Sequence, residues 1–207
     1  YGFSMKRWKD FAAACAVVLL PMLFIIGQRE TGSALVYLTF FLVFYREGMP
    51  GSILFTGVAM VVYFVVGIKY EGVSLWGTPT SVGVFCVLLM VQIFTAVMVN
   101  VYCNEKKQTR IILAYCLGGT LIAMLFSEYV IRFDIMWVQL GLSLMLVLYL
   151  LYHGLRTRLS HYFYIMAFFV GSVVFFFSAD YVLNNVMEQH QRVRINVLLG
   201  LDEDLAG

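Results

Sequence analysis

An all-α, polytopic transmembrane helix bundle of about seven spans is the fold class this sequence predicts, and three observations predict it. Of 207 residues, 62% are hydrophobic and 13% charged, with a mean hydropathy of +0.87. Soluble domains are about 45–50% apolar and about 25% charged, so this much apolar surface cannot be hidden in a water-soluble core. The apolar residues form continuous runs, whereas strands of an outer-membrane barrel would alternate apolar and polar positions. The basic residues lie in the short connections between the runs, sorted by side. Eighteen Phe and eleven Met against three Pro fit long helices with bulky packing and lipid-facing side chains.

The runs follow one another at 11–27, 33–45, 52–68, 82–102, 111–131, 135–152 and 162–183, with an extended stretch from 184 to 207. Most approach the roughly 20 residues that a spanning helix needs. The second, taken with its cap as 31–45, is short. At about 1.5 Å per residue its apolar part reaches only about 20 Å of a hydrocarbon core near 30 Å. The segment from Lys69 to Thr80, KYEGVSLWGTPT, has the Gly, Pro and Ser content of an ordered turn region. No repeat or soluble domain interrupts the runs, so residues 1–207 read as a single transmembrane domain, partial at both ends. The start at Tyr1 lacks the pattern of a cleavable signal peptide.

Sidedness follows from Lys and Arg. Lys6, Arg7, Lys9, Arg46, Lys106, Lys107, Arg110, Arg156 and Arg158 gather on one side; Arg29, Lys69, Arg132, Arg192 and Arg194 gather on the other. The positive-inside rule makes the first group cytoplasmic, with the amino end inside and the segment after Leu183 outside. Trp76 and Trp137 fall near span ends, where aromatic rings anchor at headgroup level. The net charge of +2 carries no nucleic-acid patch. Cys15, Cys86, Cys103 and Cys116 have no paired spacing and read as reduced packing residues.

Two polar segments stand out. Gly27-Gln28-Arg29-Glu30-Thr31-Gly32-Ser33-Ala34 joins the first two runs on the outer side. Because both runs are short, Glu30 is expected at or below headgroup level, stabilised by Arg29 or by a helix amino terminus capped by Thr31 or Ser33. A polar cavity for a cation or a sugar hydroxyl and a plain capped turn with a surface ion pair are both consistent with that spacing. After the last run, Glu188-Gln189-His190-Gln191-Arg192-Val193-Arg194-Ile195 alternates two Arg with apolar partners. An extended segment aims both guanidiniums one way, a geometry suited to a diphosphate. A solvated loop balanced by Asp202, Glu203 and Asp204 is the plainer alternative.

Other polar residues have structural readings. Glu128 and Arg132 are spaced for a helix pair, and Gln92 and Asn100 for bonds to neighbouring helices. Cys116, Gly118, Gly119 and Thr120 form a small-residue patch that lets another helix approach, and His153 and His161 lack a third metal ligand. No GxSxG, HExxH or Rossmann fingerprint occurs.

The run Gln28-Arg29-Glu30-Thr31-Gly32-Ser33-Ala34-Leu35, with Phe44-Tyr45-Arg46-Glu47-Gly48 after it, resembles the Q-P-[DE]-x-G-[ST] segment and following helix of the SEDS family, on its RodA side rather than its FtsW side. Gln191-Arg192-Val193-Arg194-Ile195 is similar to the start of that family's large extracytoplasmic loop. The resemblance implies a peptidoglycan glycosyltransferase of the bacterial cytoplasmic membrane, polymerising lipid II for cell-wall elongation with a class B penicillin-binding transpeptidase as partner. Under it, Glu30 is the supporting acidic residue of the outer cavity, Arg192 and Arg194 face the substrate diphosphate, and Arg29 is a further substrate-binding residue. A divalent cation, Mg or Mn, is left open as a cofactor. The main catalytic Asp is expected beyond Gly207, so the fragment by itself should be inactive. Arg29 stands where the family has Pro, and five spans separate the Arg46 and Arg192 loops where the family has one. A lipid-precursor flippase, or a non-catalytic module docking a transpeptidase, would use the same spans.

Overall fold

The apolar runs coil into α-helices because backbone in hydrocarbon must satisfy its own N–H and C=O groups, and a helix does so within one segment. The computed structural model describes residues 7–27, 36–37, 39–129 and 133–185. Among them are seven helices: α1 Trp8–Gly27, α2 Phe40–Arg46, α3 Gly51–Lys69, α4 Val82–Cys103, α5 Lys106–Tyr129, α6 Ile135–Thr157 and α7 Ser160–Asn185. The protein is an all-α helical bundle. Five helices, α3 to α7, are long and apolar enough to cross a membrane, which makes the chain a multi-pass membrane protein. The helices run past the apolar stretches into polar sequence. α5 starts at Lys106 and α6 ends at Thr157, since the backbone still bonds itself where side chains reach the headgroups.

Two compact units divide the chain, residues 1–59 and 60–207. In the first, Val18, Phe44 and Met49 are buried together, with Phe11, Ala14, Cys15 and Phe41 packed against them. The end of α2 shows how local sequence builds this cluster. Met49 N–H donates to the Phe44 carbonyl at 3.0 Å and Gly48 N–H to that of Tyr45 at 3.1 Å, the paired bonds of a Schellman ending. That ending needs a left-handed residue, and Gly48 supplies it with φ of +99°. Phe44 and Met49 then meet as the apolar pair that accompanies the motif.

In the second unit, α4 to α7 form an antiparallel four-helix bundle. Two-residue links at 104–105 and 158–159 place consecutive helices side by side. α4 contacts α5, α6 and α7, and α6 contacts both of its sequence neighbours. α4 is the central helix: 56% of its most apolar window is buried, against 28% in each of α5, α6 and α7. Its start is capped by Ser81, whose hydroxyl accepts from Val84 N–H at 3.2 Å, and its end by Asn104 in the left-handed conformation, with φ of 54°. Gly83 sits against the end of α3, where an added Cβ would strike the Gly67 carbonyl oxygen.

The side-chain pattern is that of a membrane bundle. Leu121, Ile122, Leu125 and Phe126 of α5 are exposed, as are Leu144 and Leu148 of α6. Buried polar side chains lie inside: Gln92, Thr95, Thr120, Gln139, Ser143 and Ser172. Lipid gives apolar side chains no reason to hide, and it drives polar ones inward to find partners. Gly119 faces α6 as expected, because a Cβ there would stand 2.8 Å from Leu142 Cδ2, whereas Gly118 faces open space. Gln92 Nε2 donates to Ser143 Oγ at 3.2 Å, joining α4 to α6. Asn100 departs from the expected pairing and stands exposed on α4. All four cysteines are free.

Candidate functional site

The four residues expected to bind or act on substrate, Arg29, Glu30, Arg192 and Arg194, lie outside the described residues, as do Thr31, Ser33 and Arg132. Three other polar groupings are built by the described helices, one at each end of the four-helix bundle and one in its middle.

At the first end, the link between α3 and α4 is an ordered loop, as its composition predicts. Leu75 N–H donates to the Thr80 carbonyl at 3.0 Å, Thr78 N–H to the Leu75 carbonyl at 2.9 Å and Val82 N–H to the Val73 carbonyl at 2.8 Å, while Ser74 and Ser81 form an antiparallel bridge. Thr80 fastens this loop to the start of α6. Its hydroxyl donates to Asp134 Oδ1 at 2.5 Å and accepts from Ile135 N–H at 2.8 Å. Asp134 Oδ1 also accepts from Met136 N–H at 3.0 Å, as a helix N-cap. One buried Thr thus ties the α3–α4 loop to the α5–α6 connection.

Beside this tie lies an open-sided cavity of about 110 Å³, lined by the exposed Trp76 and Glu128 and by Thr78, Met124, Ser127 and Ile135. Trp76 holds the left-handed conformation, with φ of 48°, next to Gly77 at φ of 72°. For a bulky non-glycine residue that conformation costs on the order of 1–2 kcal/mol, and it arises here because Trp76 and Gly77 are the central pair of the turn closed by the Thr78 N–H to Leu75 carbonyl bond, which needs positive φ at both. The indole remains 64% exposed, as belt anchoring predicts.

In the bundle middle, Gln139 and Ser143 lie one turn apart on α6. Ser143 takes the Gln92 bond, whereas Gln139 is fully buried with neither end of its amide bonded to protein. At the opposite end, the Tyr149 hydroxyl donates to Gln108 Oε1, and Gln108 Nε2 lies 2.9 Å from His153 Nε2. With Oε1 engaged as acceptor, the amide nitrogen is the group left to face the imidazole. His153 also stacks on Tyr162 at 5.6 Å, with 30° between the rings. This side chain is an interhelical packing element. Among the described residues no group of three His, Cys, Asp or Glu is placed to hold a metal ion.

Residue patterns did not reveal the Thr80–Asp134 tie or the Gln108–Tyr149–His153 chain. A signal for the first existed, since an Asp directly before an apolar run is an N-cap signature. No family model, curated protein or solved structure matches this chain.

Proposed function

We propose that this chain is part of a SEDS-type peptidoglycan glycosyltransferase of the bacterial cytoplasmic membrane, which polymerises lipid II beside a class B transpeptidase. The reading rests on the two resemblance segments around Glu30 and Arg192. The observation that carries it furthest is the distribution of basic residues: Arg29 and the Arg192–Arg194 pair fall in the sparser group, opposite Arg46, Lys106, Lys107 and Arg156, so the positive-inside rule gives the Glu30 turn and the arginine pair the same outer compartment, as a shared cavity requires.

In that cavity a sugar hydroxyl of one lipid II molecule attacks the anomeric carbon of another. A glycosidic bond forms, the bond to undecaprenyl diphosphate breaks, and the hydroxyl proton passes to a general base. Negative charge grows on the departing diphosphate. Arg192 and Arg194 stabilise it through bidentate, charge-assisted hydrogen bonds, which are strongest where water is excluded. Glu30 helps to organise the site, with Mg or Mn as the candidate cation there, and Arg29 beside it contributes to substrate binding.

The test is lipid II polymerisation by the purified full-length protein, with and without Mg and Mn, comparing the parent with Glu30→Ala and Arg192→Ala. Each variant should lose at least about tenfold in rate, since removing one preorganised charge-stabilising group costs a few kcal/mol. Unchanged polymer yield in both variants would contradict the assignment. Loss of lipid transport with polymerisation intact would identify a flippase instead.

A further inference from the structure

The cavity beneath Trp76 holds chemistry that the proposed reaction does not use. Its 110 Å³ would admit several waters, and therefore a small organic group. Its polar lining is rich in acceptors. Glu128 brings a carboxylate. The Thr78 hydroxyl already donates its proton to the Leu75 carbonyl at 2.6 Å, and that of Ser127 to the Phe133 carbonyl at 3.5 Å, so both oxygens are left with lone pairs to offer. Among the described lining residues the indole of Trp76 has the only side-chain N–H, and no Lys or Arg is present. A phosphate or another anion would find a carboxylate and almost no donors.

An organic ammonium group matches each feature. Its N–H bonds suit three acceptors, its charge suits a carboxylate, and an aromatic face attracts it further. The cavity also lies where α5 ends and α6 begins, at one end of the bundle, the depth at which lipid headgroups meet a membrane protein.

We propose that this cavity binds an organic ammonium group, with Glu128 as counter-ion, the Thr78 and Ser127 oxygens as acceptors and the Trp76 ring as cation–π partner. The proposal does not depend on the glycosyltransferase reading. Two sources share this chemistry, the ethanolamine headgroup of a phospholipid and a free soluble amine.

The experiment uses the full-length protein in nanodiscs of phosphatidylglycerol with or without phosphatidylethanolamine. Retained lipid is measured by native mass spectrometry. Trp76 emission is followed in a Trp8→Phe, Trp137→Phe background as free ethanolamine is added. Phosphatidylethanolamine retained by the parent, and weakened about tenfold in Glu128→Gln and less in Trp76→Leu, supports the proposal with the headgroup as source. A saturable emission change with free ethanolamine that Glu128→Gln removes supports it with a soluble amine as source. Equal behaviour of parent and Glu128→Gln toward both probes overturns it. So does retention of phosphatidylglycerol in preference to phosphatidylethanolamine, or amine binding that appears only after Arg132→Ala, which would make Arg132 the native occupant.

Discussion

Thr80 shows how much one side chain can hold. Its hydroxyl oxygen bonds both the Asp134 carboxylate and the Ile135 N–H across 54 residues of sequence. Thr80→Val keeps the shape but leaves a charged acceptor and a helix-end donor short of a partner. We expect it to destabilise the bundle by about 2–4 kcal/mol, while Thr80→Ser costs under about 1 kcal/mol. Thermal unfolding in detergent, both variants beside the parent, measures the difference. Gly48 is a different case, because its added Cβ would meet nothing within 4 Å. Gly48→Ala should therefore cost only the left-handed backbone penalty, about 1–2 kcal/mol, visible as faster hydrogen exchange of the Met49 amide. The Gly48 ending follows a short apolar helix and could be read from a few neighbouring residues. The Thr80 tie could not, since composition marks a turn without saying which distant N-cap it will reach.

Among the elements, α4 was legible as a span and not as the centre of the bundle. Continuous hydrophobicity looks the same facing lipid or facing other helices, so apolar runs cannot say which helix is enclosed. Polar residues carry that information, and Gln92 within α4 was the readable clue to its pairing with α6. Asn100 gave the opposite outcome, because near the end of a span an amide can face water. Gln139 offers a test of polar burial. Its amide has no protein partner, so Gln139→Met should be neutral or stabilising, whereas Gln92→Met strands Ser143 and should cost about 1 kcal/mol. Chemical unfolding of the two variants in detergent gives the comparison. A large loss in Gln139→Met would mean that the amide is bonded in the native membrane.

For the molecule as a whole, hydropathy and charge were enough to give the all-helical, multi-pass architecture. The reason is physical: in lipid the backbone has few ways to satisfy itself, and long apolar runs leave only one of them. The candidate catalytic residues were legible as motifs alone, since Arg29, Glu30, Arg192 and Arg194 lie outside the described residues. The cavity under Trp76 was not legible at all, because it depends on two loops brought together by Thr80 and Asp134.

The glycosyltransferase reading requires the Glu30 turn and the Arg192 segment to face one compartment, opposite Arg156, and the positive-inside rule puts the Trp76 loop on that same side. Single cysteines placed at 30, 76, 192 and 156 in a background lacking Cys15, Cys86, Cys103 and Cys116, reacted with a membrane-impermeant maleimide in intact cells, test this directly. Labelling is expected at 30, 76 and 192, with protection at 156 until the membrane is permeabilised. Labelling at 156 with protection at 76, or opposite behaviour at 30 and 192, would contradict it.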